Sequence, residues 1–231
     1  MLYSYTKFKE HNYTMKHYVI TIMDNPRSVN VAERCIKSGA KNGIEIEHFP
    51  AITPHNTDIH KMLKDEGVSI DGFRELYSRL DNCIAAFLSH YSLWKLAAET
   101  NDTVTIFEHD AVVVDKIPDI PFTQCISFGK PSYGKFRMPT KLGVGPLNSK
   151  PYFPGAHAYR VNYKGAEQLI YQAKRHAKPT DVFLNIHTFP SLQEYYPWPV
   201  EARDNFTTIQ NERGCLAKHN YNETYKIEEA R

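Results

Sequence analysis

The stretch Val104-Thr105-Ile106-Phe107-Glu108-His109-Asp110-Ala111-Val112-Val113-Val114-Asp115 constrains the chain most. Mostly β-prone residues run directly into acid–His–acid, and apolar residues then resume. A buried strand has no structural use for two carboxylates, because desolvating them is costly unless something positive receives them. Residues i and i+2 of a strand point to one side. Glu108 and Asp110 are therefore expected to share a side, roughly 6.5–7 Å apart at the backbone, with His109 on the other. Ligands bind at strand ends in open α/β sheets. Two readings follow. One is a site for a hard divalent cation carrying a diphosphate, with oxygen ligands from the acids and the phosphates. The other is a strand that ends in a polar, solvated turn.

Composition narrows the classes around that stretch. The 231 residues suit one domain, or one domain with an elaboration, and a sizeable core. Apolar content of 42% and charged content of 23% are ordinary for a globular chain. A formal charge of +2 is too balanced to argue for nucleic acid as a partner. Cys35, Cys83, Cys125 and Cys215 are scattered without a C-x-x-C pair, so neither a zinc site nor a disulfide framework is suggested. A reduced, cytoplasmic setting is the expectation from cysteine usage. Met1 to Lys16 reads as a polar, tyrosine-rich extension without the apolar core of a signal peptide. No apolar run approaches the length of a membrane span.

In chain order, His17 to Ile22 reads as a buried strand. Pro26 lies in a turn with helix-start chemistry, where Ser28 or Asn30 can cap a helix over Val31 to Ser38 that ends near Gly39. Ile44 to Phe49 alternates apolar and polar residues, the mark of a half-buried strand. Strand, helix, strand at this spacing is a βαβ unit, hence a parallel sheet. Arg27, in the turn after the first strand, suits a phosphate or base contact, or is a solvated helix-start arginine. Asp58 to Gly67 reads as a short polar helix.

Asp81 or Asn82 is expected to cap a long helix to about Glu99. Its apolar stripe is Ile84, Phe87, Leu88, Tyr91, Trp94 and Ala98. His90 lies beside the stripe, either packed or in contact with a ligand. Gln124 to Gly129 is a further strand. Residues 130–156 read as a long Pro/Gly-rich loop with Lys130, Lys135, Arg137, Lys141 and Lys150 and no acid. Such a loop suits a lid over an anionic, ring-bearing ligand, or a mobile excursion. Gly155 and Ala156 lead into a strand and would let a ligand approach the backbone. Asn162 caps a helix over Ala166 to Ala177. Pro179 to Leu184 starts another, with Asp181 in its first turn, where the helix dipole favours a carboxylate and where a general base is the alternative role. Leu192 to Val200 reads as an edge strand, and the last twenty residues as a fraying tail. The domain limits expected are 1–16 for the extension, 17–210 for the main α/β domain and 211–231 for the tail. There is no GKS/T phosphate loop, no G-x-G-x-x-G fingerprint and no G-x-S-x-G elbow.

Four segments, in order, resemble glycosyltransferase family 25, the group of lipooligosaccharide galactosyl- and glucosyltransferases. They are Tyr18 to Ile22 with Pro26-Arg27-Ser28, Cys83 to His90 followed by Trp94, Ile106 to Ala111, and Gly155 to Tyr159 followed by Lys164-Gly165-Ala166. Pro179-x-Asp181 is similar to the family's later aspartate. His109 stands where the family has an acid. The resemblance implies an α/β, GT-A-like single domain with a Rossmann-like, mixed and mostly parallel sheet flanked by helices. It implies a role in lipopolysaccharide biosynthesis, a nucleotide-sugar donor such as a UDP-hexose, a glycan or other hydroxyl acceptor, Mn²⁺ or Mg²⁺, and inversion at the anomeric carbon.

On that footing Asp110 and Glu108 would hold the cation. Arg27, Glu108, His90, Gly155 and Ala156 would meet the donor. Asp181, or else His157 or His187, would serve as general base. A non-catalytic nucleotide- or glycan-binding module, a nucleotidyltransferase and a transferase acting on modified nucleic acid are the rivals.

Overall fold

A computed structural model describes residues 15–73, 76, 78–203, 206–213 and 226–227. The βαβ unit opens it. Strand β1 (Met15–Thr21) leads to helix α1 (Pro26–Lys41) and then to β2 (Glu47–Pro50), which pairs parallel with β1. The helix begins earlier than the sequence suggests. Its cap is Asn25, not Ser28 or Asn30, and the Asn25 side-chain oxygen accepts from the Arg27 and Ser28 N–H groups at 3.0 and 3.1 Å. Pro26 fits the first turn because the N–H it lacks would have had no intrahelical partner.

Two helices follow. The first is α2 (Ile59–Glu66), capped by Asp58 and ended by Gly67 in the left-handed region. The second is α3 (Leu80–Thr100), in which Arg79 occupies the cap position without a side-chain capping bond, so neither Asp81 nor Asn82 caps it. Strand β3 (Thr103–Glu108) comes next, then the short β4 (Ala111–Val113) and β5 (Cys125–Ser127).

The expected loop over 130–156 holds a strand, β6 (Gly143–Pro146). Strand β7 (Ala158–Val161) runs into α4 (Tyr163–His176), where the Asn162 side chain accepts from Gly165 N–H at 2.9 Å. A short helix α5 (Thr180–Phe183) precedes β8 (Gln193–Tyr196), β9 (Val200–Ala202), β10 (Phe206–Thr207) and β11 (Lys226–Ile227). Of the tail, most lies outside the described residues, but Lys226–Ile227 pairs with β10. Residues 1–14 of the expected extension also lie outside them.

The main sheet has seven strands in the order β2-β1-β3-β7-β5-β8-β6. Strands β2, β1, β3, β5 and β8 run one way, while β7 and β6 run against them. The sheet is therefore mixed and mostly parallel. Strand β8 lies inside it, between β5 and β6, and β6 takes the edge expected for the 192–200 segment. Pro197 and Pro199 fall beyond β8, where they interrupt no ladder.

Two apolar layers cover the faces. Helices α3 and α4 pack together on one face, where Val104, Ile106, Tyr159 and Val161 join the core of α3. Helix α1 covers the other, with Val19, Ala32, Cys35, Phe107 and Ala158. Alternation along β3 thus assigns even-numbered residues to the α3 side and Phe107 to the α1 side. Among the described residues no helix is long and apolar enough to cross a membrane.

Candidate active site

Strand β3 ends at Glu108, and His109 and Asp110 form a turn rather than a continuation. The register Ile20↔Glu108 sets Glu108 beside the end of β1. Its backbone N–H donates to the His157 carbonyl at 3.0 Å, so the start of β7 lies at the same edge. Around this carboxyl edge is a cavity of about 460 Å³, within the range of small-molecule sites. Its walls come from the ends of β1, β2 and β3, the first half of α3, the start of α5, Ser132-Tyr133, Gly155, His157 and the segment around Phe206 to Gln210.

Glu108 shares the α3 side with Val104 and Ile106, and there it meets His90. The imidazole Nε2 lies 3.2 Å from Glu108 Oε1, and Nδ1 lies 2.9 Å from the Tyr159 hydroxyl. Burial pushes the His90 ring down to about 3, against the pull of the Asp181 charge, so the ring is neutral at pH 7. The Glu108 carboxyl is pushed up to about 8, by burial first and by the Asp181 charge second. Its side chain nevertheless keeps 30% of its surface open, toward the cavity.

His109 faces the α1 side. Its Nδ1 meets the Ser28 hydroxyl at 2.7 Å, and its ring stacks on Phe206 with centroids 5.1 Å apart. Burial, then the Arg34 charge, lowers it to about 4. Asp110 acts on the same side: its charge, after burial, helps push the Cys35 thiol of α1 up to about 12. The two acids therefore do not share one side of a strand. The strand stops at the first of them and the chain turns, so Glu108 works against α3 and Asp110 against α1. Both line the cavity, and so does His109.

Asp181 also lines it, from the first turn of α5. The Tyr133 hydroxyl donates to Asp181 Oδ2 at 2.5 Å, and the Val182 N–H donates to Oδ1 at 2.8 Å. Burial, with the Asp181 charge behind it, raises the Tyr133 phenol and keeps it protonated. His157 is buried and lines the cavity, whereas His187 is exposed and lies off it.

Arg27 does not line the cavity but lies over the Phe206 ring, 4.4 Å from its centroid. Gly155 lines it with φ +82°, and the space its side chain would take is filled by Ser132 Oγ, 2.5 Å from an ideal Cβ. Its smallness thus serves the packing of the 130s loop. Ala156, at φ +46° and 4% exposed, is not on the cavity wall. The basic loop keeps its charges elsewhere. Lys130 pairs with Glu201 at 3.4 Å, and Lys150 donates to the Tyr133 carbonyl at 2.7 Å. Among the described residues, the one lysine or arginine lining the cavity is Arg213.

The sequence reading missed Tyr133, Tyr159, Trp94 and Phe206 as parts of this site. Trp94 stood in the apolar stripe of the long helix, and the two tyrosines inside segments already singled out. Their partners, Asp181 and His90, are distant in sequence, and only the sheet register brings them together.

A hard cation finds oxygen donors here in Asp110 and Glu108. Among the described residues no three His, Cys, Asp or Glu side chains gather in a metal-holding group. A hard cation here would take one or two carboxylates and would need phosphate and water to complete its shell.

Comparison with known proteins places this geometry in context. Residues 14–127 match the profile of glycosyltransferase family 25, described as LPS biosynthesis protein. The match ends before Tyr133, His157, Tyr159, Asp181 and Phe206, so half of the cavity wall comes from chain beyond it. No curated protein sequence matches at a significant level. Among solved structures, the chain is similar to CTP:phosphocholine cytidylyltransferase from Streptococcus pneumoniae at 12% identity, over 80% of this chain and 92% of that one, with a TM-score of 0.34. That likeness is too slight to bear on function.

Proposed function

We propose, starting from a chain whose family 25 segment at residues 14–127 makes it a glycosyltransferase, that it moves a hexose from a UDP-hexose to a hydroxyl of a glycan or similar acceptor. The reaction uses Mn²⁺ or Mg²⁺ on a GT-A-type site and inverts the anomeric carbon. One observation carries the reading: Glu108, Asp110 and Asp181 stand on the walls of a single cavity at the carboxyl edge of the sheet.

Asp110 and Glu108 would hold the cation, which when bound neutralises charge on the departing diphosphate. Asp181 takes the proton of the acceptor hydroxyl as that oxygen bonds to the anomeric carbon and the bond to the donor phosphate breaks. The Tyr133 hydroxyl and the Val182 N–H hold both Asp181 oxygens in place for that transfer. Ile20, Ile22, Ala51 and Ile52 supply apolar wall that keeps water from the reacting carbon. The products are a glycoside and a nucleoside diphosphate.

A thermal-shift screen of nucleotide sugars with and without Mn²⁺ tests this directly, because a ligand bound to the native state raises its apparent stability. A UDP-hexose is expected to raise Tm only with the cation present, and Asp110→Ala is expected to abolish both the shift and the transfer while staying folded. No shift with any nucleotide sugar would overturn the proposal. So would pyrophosphate released from a nucleoside triphosphate, the mark of nucleotidyl transfer.

A further inference from the structure

Behind Glu108 lies a line of buried polar groups that leads away from the cavity. Trp94 Nε1 is 2.8 Å from the Tyr159 hydroxyl oxygen, that hydroxyl is 2.9 Å from His90 Nδ1, and His90 Nε2 is 3.2 Å from Glu108 Oε1. Trp94 and Tyr159 are 0% exposed and His90 1%. The sheet explains the line. Tyr159 pairs with Ile106, two residues before Glu108, so Tyr159 and Glu108 face α3 together. Trp94 and His90 are one helical turn apart on α3 and meet them from the other layer.

The chemistry of the groups gives the line one direction. An indole N–H can only donate, so the Tyr159 oxygen accepts from Trp94. The Tyr159 proton then needs an acceptor, and His90 Nδ1 is within reach. Nδ1 must be bare, so a neutral ring carries its proton on Nε2 and donates to Glu108. The opposite tautomer would aim two N–H groups at the Tyr159 oxygen and strand its buried O–H, which costs about 1–3 kcal/mol.

We propose that Trp94, Tyr159 and His90 form a one-way hydrogen-bond relay that fixes the Nε2–H tautomer of His90 and keeps Glu108 Oε1 as an acceptor. The relay presents the same carboxyl oxygen to the cavity in every molecule. These three are positioning residues, and their effect on turnover rests on the proposed role of Glu108 in sugar transfer.

The full chain labelled with ¹⁵N-histidine tests the direction without any assay of activity. A long-range ¹H–¹⁵N spectrum, with His90 assigned by comparison with His90→Gln, is expected to show a neutral ring protonated on Nε2. A proton on Nδ1, or averaging between the two tautomers, would overturn the relay, and this wild-type spectrum decides the point whether or not a variant folds. In Tyr159→Phe an Nδ1–H population is expected to appear, with kcat down about tenfold, the low end for losing a supporting outer hydrogen bond, and donor KM within about twofold. An unchanged tautomer or an unchanged kcat in that variant would overturn it. Tyr159→Phe added to His90→Gln is expected to cost nothing further, and additive losses would show that the residues do not act in series. If wild-type chain transfers no sugar from any donor, the functional reading falls and the tautomer alone decides the relay.

Discussion

Glu108→Gln probes the site most sharply, because the wild-type carboxyl holds a proton that a cation must displace. Burial and the nearby Asp181 charge raise that carboxyl to about 8. At pH 7 most molecules therefore keep the proton, and displacing it costs on the order of 1 kcal/mol. The ionised share climbs from about 1% at pH 6 to about half at pH 8, so apparent cation affinity should rise about 50-fold over that range. The sign reverses for the empty protein. The folded state keeps a proton that the unfolded chain loses near its model-peptide value of 4.5. Its stability should therefore fall as pH rises from about 4.5 to about 8. Gln keeps the size and the acceptor for His90 but has no titrating proton, so it should flatten both slopes. Isothermal titration of Mg²⁺ into protein with UDP, from pH 6 to 8 in two buffers of different ionisation enthalpy, reads both the affinity and the protons released. The nucleotide's own titration is common to both proteins and cancels in their ratio. A wild-type affinity with no more pH dependence than that of Glu108→Gln, or no proton release, would refute the reasoning.

Asp181→Asn should lower kcat about 10²–10⁴-fold, the usual worth of a general base, with UDP affinity within about twofold; normal turnover with a lowered Tm would assign Asp181 to the helix start alone. Phe206→Ala removes the ring held between Arg27 and His109 and should cost about 3 kcal/mol in urea unfolding, with a raised donor KM as the wall around Thr207 to Gln210 loosens. Gly155→Ala should destabilise by about 1–3 kcal/mol, since its φ of +82° strains any side chain. Pairing Gly155→Ala with Ser132→Ala should recover only the part due to the Ser132 contact, as read by the unfolding midpoint.

The fold was legible where the signal is local. The βαβ start, α2 between Asp58 and Gly67, and α4 behind Asn162 depend on periodicity and caps that sit within a few residues of one another. It was less legible where pairing is distant. Gly143–Pro146 carries two glycines and a proline and looks like loop, yet its partner β8 makes it a strand at the sheet edge. Strand β6 in turn covers one side of β8, which two nearby prolines had marked as an edge. The Asn25 cap was hidden by better-looking candidates at Ser28 and Asn30. Ser28 is instead spent on the Ile22 N–H and on His109.

The site follows the same division. That an acid–x–acid run at a strand end should face a cavity could be read from desolvation cost alone. How the acids divide could not, because period two holds only while the strand lasts, and the strand ends two residues short of where it would bring Asp110 round to Glu108's side. The break has a consequence for the chemistry. A continuous strand would have set both carboxylates against α3, where each would raise the other's pKa and His90 could serve only one of them. Turning at His109 sends Asp110 toward α1 and leaves Glu108 alone with His90, with Asp181 as the charge that presses on it. His109, between the two acids, then becomes the hinge's anchor: its Nδ1 meets Ser28, which also binds the end of β1, and its ring stacks on Phe206. A third carboxylate in its place would lie beside Phe206 and bring a further charge to a buried position. The imidazole, held neutral by burial, ties three walls of the cavity together without that cost.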